Sequence, residues 1–312
     1  MRALPLMLCA LLAATTAQGK PQVWQPAPGH TQIPIWPGTA PDAQAVPGPE
    51  KATVSTGLIA GKPATAVTNV TRPTLTIYPP TGNNTGAAIV VLPGGGFQIL
   101  AIDLEGTEAC DWVTANGMTC VLLKYRVPGP PYDWHCDCRP HNYMVPTLAL
   151  ADVQRTIGLV RHHAREWHID PHRIGVMGFS AGGFLVAEAS TRYAHRLYKP
   201  IDAADQESIR PDFAAPIYPG HLAQDGKLNP NVPVTRDTPP TFLVQAEDDH
   251  VDGVDQALVY YTALAKVGAP AEMHLYAHGG HAFGLRRTKL PVSAWPELMK
   301  TWLITIGVLP KP

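Results

Sequence analysis

From residue 87 onward, short apolar runs alternate with helix-forming stretches, and this alternation restricts the fold more than any single motif does. Residues 87–92 (Ala-Ala-Ile-Val-Val-Leu), 119–125, 174–177, 213–218, 241–245 and 272–276 have the length and β-branched content of strands. The run at 87–92 carries no polar residue on either side, which predicts a central strand buried on both faces, as in a parallel sheet. Residues 105–116, 145–167, 255–267 and a last stretch around 295–306 read as helices, with Leu148, Val153, Ile157 and Val160 near one side of the longest. Earlier, the β-type runs 67–70 and 74–78, separated by Pro73, are expected at the start of the sheet. Such a succession predicts an α/β fold, a mostly parallel central sheet with helices on both faces, whose reactive groups collect beyond the carboxyl ends of the strands. A chain of 312 residues with 45% hydrophobic content can bury that core as one domain over residues 51–312.

Ahead of this domain lie two segments of different character. Met1-Arg2, then apolar residues 3–14, then Thr15-Thr16-Ala17-Gln18 have the form of a secretory signal peptide over residues 1–17. The apolar run is too short for a resident membrane helix, and no other run approaches that length. Residues 18–50 are dense in proline and glycine and are expected to build no regular structure, forming instead a strap that Trp24, Ile33, Ile35 and Trp36 pin to the domain. A periplasmic or secreted location suits the cysteines: with Cys9 in the leader, an even set of Cys110, Cys120, Cys136 and Cys138 remains. Three connectivities are open. Cys110 with Cys120 is favoured because it ties a helix to the strand after it, with a second link within or near the 136–138 loop. His135, Cys136, Cys138 and His141 crowd too closely for the usual structural zinc spacings, so no metal is expected there. A formal charge of −1 shows no footprint for nucleic acid or an anionic membrane, leaving small neutral or weakly charged partners.

The chemistry gathers at strand ends. Gly178-Phe179-Ser180-Ala181-Gly182 follows the strand at 174–177 and precedes a helical run, the context in which G-x-S-x-G lifts a serine hydroxyl out of a sheet. A serine needs a base, oriented by a carboxylate, and in this motif's chain order acid and then histidine follow the serine. After 241–245 comes Ala246-Glu-Asp-Asp-His-Val251, from which Asp249 is preferred over Asp248, while Glu247, Asp252 and Asp255 are read as surface or first-turn acids. After 272–276 comes Ala277-His-Gly-Gly-His281, from which His281, on a flexible glycine turn, is preferred over His278. Leu92-Pro-Gly94-Gly95-Gly96-Phe97 lets backbone amides converge on one spot, so Gly95 and Gly96, with the Ala181 amide, are the expected oxyanion site. Residues 127–144 and 219–240 leave from strand ends and should overhang this site, with Tyr132, Trp134 and Tyr218 as candidates to stack on a sugar.

From about residue 74 to residue 302 these segments resemble an α/β-hydrolase of the esterase/lipase type, and more narrowly the bacterial acetylxylan esterase-like, or xylanase-B-like, group. The likeness is carried by Pro93-Gly-Gly-Gly-Phe97, Glu105-Gly106, Asp111-Trp112, Leu123-Lys-Tyr-Arg126, Asp152-Val-Gln-Arg155, Asp170-Pro-His-Arg-Ile-Gly175, Gly178-Phe-Ser-Ala-Gly-Gly183, Arg210-Pro-Asp-Phe213, Gln245-Ala-Glu-Asp-Asp249 and Gly279-Gly-His281. Pro93 stands where lipase-like relatives carry a histidine. The resemblance implies cofactor-free hydrolysis of acyl esters, often acetyl groups on plant polysaccharide, with a small-molecule or oligosaccharide ester as partner. Two other readings use the same residues. One is a serine peptidase of the prolyl-oligopeptidase type, and the other is a catalytically idle binding module.

Overall fold

The computed structural model describes residues 23–128 and 144–311. The expected leader at 1–17, and Tyr132, Trp134, Cys136 and Cys138, lie outside the described residues. In chain order the strands are β1 (Gln32–Pro34), β2 (Lys51–Val54), β3 (Thr65–Thr68), β4 (Thr74–Tyr78), β5 (Ala88–Leu92), β6 (Leu100–Ala101), β7 (Thr119–Lys124), β8 (Ile174–Phe179), β9 (Ala214–Ile217), β10 (Ala223–Gln224), β11 (Lys227–Leu228), β12 (Thr241–Ala246) and β13 (Ala271–Tyr276). The helices are α1 (Glu108–Ala115), α2 (Met144–His162), α3 (Ala181–Thr191), α4 (Asp255–Val267) and α5 (Trp295–Thr305).

An eight-stranded sheet runs β1-β4-β7-β5-β8-β9-β12-β13, parallel from β7 to β13 and antiparallel at β4 and β1. Every residue of β5, β7, β8, β9 and β12 is buried, which is why these strands read as largely apolar runs. Gly175 breaks the apolar run of β8 for a packing reason: a Cβ there would lie 2.1 Å from the Phe213 ring. The helices supply two covering layers. α2 packs on α3, and α1 meets α5 through Trp112 and Trp295, whose rings are 6.4 Å apart. Strand order reverses at β5, whose neighbours β7 and β8 lead to opposite edges, and ligands of open α/β sheets sit at the carboxyl ends around such a reversal.

Several expectations are corrected. The strap is not free of regular structure, because residues Gln32–Pro34 pair with β4 as the outermost strand, an edge position where Pro34 costs no internal ladder bond. Ile35 and Trp36 are buried, whereas Ile33 is exposed. Only 74–78 of the two early runs enters the main sheet. The other strand is Thr65–Thr68, ends at Asn69 with a φ of 57°, and belongs to a separate sheet β2-β3-β6. The helix expected at 105–116 begins with a wide π-type turn, Asp103–Thr107, and becomes α-helical at Glu108, with helix-weakening Gly106 packed against Leu122. The long helix stops at His162 rather than residue 167, because the following turns lead to His168 at a φ of 56°. The stretch 219–240 contains the small hairpin β10–β11. Cys110 and Cys120 form a disulfide with Cα atoms 5.2 Å apart, tying α1 to β7. Among the described residues no helix is long and apolar enough to cross a membrane.

Candidate active site

At the end of β8 the chain turns into α3 through Ser180, whose φ of 52° and ψ of −119° lie outside the regions L-residues prefer. The turn is tight because two backbones meet there. A Cβ on Gly178 would lie 2.2 Å from the Gly182 carbonyl oxygen, and one on Gly182 would lie 2.1 Å from that of Leu92. The Ser180 amide donates to Ile217 O, and its carbonyl accepts from Phe184 N and Gly220 N, so the strained residue is tied on both sides.

β12 and β13, adjacent and parallel, carry the other two groups. His281 Nε2 is 3.0 Å from Ser180 Oγ, and His281 Nδ1 is 2.7 Å from Asp249 Oδ2. Asp249 is 4% exposed, and its other oxygen accepts the amides of Val251 at 2.9 Å and Asp252 at 3.0 Å. Burial raises the Asp249 pKa, but the His281 hydrogen bond, those amides and the His281 charge outweigh it and hold the carboxyl below its ordinary 3.8. His281 shows the reverse balance. Burial lowers its pKa, while the Asp249 hydrogen bond and the charges of Asp249, Asp252 and Glu105 carry it above 6.5. Asp248 faces elsewhere, accepting the amides of Gly279 at 2.8 Å and Gly280 at 2.7 Å and lying 3.3 Å from the exposed His278. It braces the glycine turn that delivers His281.

The loop after β5 supplies the third part. Gly95 and Gly96 have φ of 129° and 60°, and no hydrogen bond among the described residues engages the amides of Gly95, Gly96 or Ala181. The Gly94 amide is committed to Glu105 Oε2 at 2.7 Å, while Glu105 Oε1 accepts from the Tyr218 hydroxyl at 2.9 Å. Tyr218 is wholly buried, its ring edge-on to His281 at 5.2 Å, so it offers no face to a sugar and instead packs behind the imidazole. Burial raises the Glu105 pKa against the pull of Tyr218, Gly94 and His281. Sequence reasoning missed Glu105 as a site residue because it was placed at the start of an ordinary helix. The stretch Ile99-Leu-Ala-Ile-Asp-Leu-Glu105 carries two acids, Asp103 and Glu105, and nothing local tells which of them is buried at the site.

A glycine loop after β5, a serine elbow after β8, an acid after β12 and a histidine after β13 thus converge at one edge of a mostly parallel sheet. The solved acetyl ester-xyloside bifunctional hydrolase from Caldicellulosiruptor lactoaceticus superposes with a TM-score of 0.68 at 29% identity, covering 89% of this chain and 97% of that one. The chain has the α/β-hydrolase fold. Residues 75–215 match the BD-FAE family, a span that holds the glycine loop and Ser180. An acetylxylan esterase from Xylanibacter ruminicola is 30% identical over 65% of this chain and 42% of its own length. The endo-1,4-beta-xylanase B of Butyrivibrio fibrisolvens is 25% identical over 62% of this chain and 32% of its own. The chain therefore spans well under half the length of these curated relatives.

Above Ser180 lies a cleft of about 620 Å³, lined by Gly95, Gly96, Ser180, Asp252 and His281 and by the hairpin from Ser55 to Ala66. Arg286, five residues past His281, clamps that hairpin. Its guanidinium donates to the carbonyls of Ile59, Lys62 and Pro63 and pairs with Glu108 at 2.7 Å. Asp252, expected at the surface, instead faces the cleft with Oδ2 3.4 Å from Ser180 Oγ and 3.8 Å from His281 Nε2. Its carboxylate rests on Gly220, where a Cβ would lie 2.5 Å away, so only a glycine there lets the acid reach the serine. Nothing in the local sequence distinguishes Asp252 from its neighbouring acids. Among the described residues no cluster of three or more His, Cys, Asp or Glu is placed to hold a metal ion.

Proposed function

We propose that the chain is a carboxylic ester hydrolase in which Ser180 is the nucleophile, His281 the base that deprotonates it, and Asp249 the carboxylate that holds the imidazole. The observation that carries this reading is the continuous chain from Asp249 Oδ2 through His281 to Ser180 Oγ, with links of 2.7 and 3.0 Å. Nδ1–H donates to Asp249, which leaves Nε2 with the lone pair that faces the serine hydroxyl. As Oγ attacks the ester carbonyl, its proton passes to Nε2, and the carbonyl oxygen gains charge opposite the uncommitted amides of Gly95, Gly96 and Ala181. Collapse of the tetrahedral adduct returns the Nε2 proton to the departing alkoxide and leaves an acyl-serine. Water, deprotonated by the same nitrogen, then releases the acid.

The preferred substrate is an acetylated carbohydrate, xylan or xylo-oligosaccharide, or a related small ester. The relatives described as an acetylxylan esterase and as an acetyl ester-xyloside hydrolase support this class, the first over part of its length. A periplasmic or secreted setting accords with the Cys110–Cys120 disulfide, a bond that persists in oxidising compartments. Ser180→Ala is expected to lower turnover of p-nitrophenyl acetate by about 10⁴-fold or more. Retention of the wild-type rate in that assay would remove Ser180 from the mechanism.

A further inference from the structure

Asp252 is a second carboxylate at the reacting serine, and the proposed mechanism gives it no task. It cannot stand in for Asp249, because it lies nearest Nε2, the nitrogen that must face the serine, rather than Nδ1. Its carboxylate is largely buried, and among the described residues its one side-chain hydrogen bond is the long contact from Ser180 Oγ at 3.4 Å. That hydroxyl has a single proton. Directed to His281 Nε2 at 3.0 Å, that proton leaves the largely buried Asp252 oxygen without a donor among the described residues, and a desolvated carboxylate oxygen left unpaired carries a penalty.

A donor brought by the substrate would remove this penalty. The leaving alcohol oxygen has to come within hydrogen-bond reach of Nε2 to receive its proton, and Asp252 Oδ2 is 3.8 Å from that nitrogen, beside the leaving group's position. Among the described residues no Lys or Arg lines the cleft to neutralise the carboxylate. Burial pushes the Asp252 carboxyl up to about 6, with His281 pulling the other way, so above that pH it is charged and a strong acceptor.

We infer that Asp252 selects esters whose alcohol carries a free hydroxyl next to the esterified oxygen, by accepting a hydrogen bond from that hydroxyl as Ser180 attacks. The inference rests on the proposed hydrolase function and narrows its substrate class to mono-esters of vicinal diols, as in a partly acetylated pyranose. An ester of a simple alcohol or phenol leaves the carboxylate without a donor.

The test compares two substrates across three proteins. The substrates are a mono-O-acetyl methyl xyloside with its neighbouring hydroxyl free, and the same compound with that hydroxyl replaced by hydrogen. The proteins are the wild type, Asp252→Ala and Asp252→Asn. A hydrogen bond to a charged group sets the expected size: the wild type prefers the hydroxyl-bearing substrate in kcat/KM by about 10–100-fold. In Asp252→Ala the preference shrinks to within about threefold, and in Asp252→Asn, which keeps an acceptor without the charge, it is intermediate. Labelling of Ser180 by a fluorophosphonate shows whether each variant retains a formed site, and Asp252→Asn, the same size as the wild type, carries the comparison if the alanine variant does not fold. A wild type indifferent to the hydroxyl, or variants that discriminate as the wild type does, would overturn the role of Asp252 while leaving ester hydrolysis standing. A wild type that neither turns over p-nitrophenyl acetate nor is labelled would overturn the hydrolase reading and this inference with it.

Discussion

Asp248 and Asp249 are adjacent acids after the same strand, and the structure gives them opposite tasks. Asp249 turns inward, is capped by the Val251 and Asp252 amides and meets His281, while Asp248 turns outward to hold the glycine turn. On the proposed mechanism Asp249→Asn lowers kcat by about 10³–10⁴-fold, because an amide can donate to Nδ1 and so select the tautomer whose proton sits on the wrong nitrogen. The same substitution moves the pH profile. His281 must be neutral to act, and its pKa is held above 6.5, so the acid limb of wild-type kcat/KM is expected above pH 6.5. Removing the Asp249 charge shifts that limb downward, and a limb that stays in place would show that another group is titrating. The linkage to stability has two signs. Raised His281 stabilises the fold below its unfolded value, an effect lost as pH rises through its folded pKa; lowered Asp249 stabilises above 3.8, an effect lost as pH falls through its folded pKa. At this scale the sequence made Ser180 and His281 legible through motif and chain order. Asp252 and Glu105 were not legible, since their contacts lie with residues 72 and 113 positions away.

The strand-turn-helix unit of β8 and α3 is built on close backbone approach. With Leu92 O only 2.1 Å from a Cβ at position 182, Gly182→Ala must push β5 and α3 apart. We expect it to cost about 3 kcal/mol or more and to lower the urea midpoint accordingly. A variant of unchanged midpoint would show that the elbow can relax. The hairpin from Ser55 to Pro63 is a contrasting element. It has no core of its own, and it becomes a wall of the cleft because Arg286, beside the His281 turn, collects three of its carbonyls. Nothing in the hairpin's local sequence announces that role, because the partner lies more than 220 residues away.

Across the whole molecule, long-range ties join the early chain to the sheet. Trp36 Nε1 donates to Asp152 at 2.8 Å, Arg126 bonds both Asp152 and the Pro41 carbonyl, and Arg155 reaches the Ile35 carbonyl, so the proline-rich stretch is sewn to β7 and α2. The Cys110–Cys120 disulfide closes a short loop between α1 and β7. Replacing both cysteines by alanine is expected to lower the unfolding free energy by about 2–3 kcal/mol, with denaturant melts of the oxidised wild type and the double variant as the measurement. An unchanged stability would place the bond outside the fold's energetics. By itself the sequence determined the parallel sheet and the order of glycine loop, serine elbow, acid and histidine along it. Those features are local: an apolar run needs burial on both faces, and a tight turn needs glycine where backbones meet. Only the tertiary structure decided which acid faces His281, that Tyr218 lies behind the imidazole rather than under a sugar, that Asp252 reaches Ser180, and that the early hairpin walls the cleft. Each of these depends on which distant segments the sheet order brings together, a relation that periodicity and spacing along one chain do not contain.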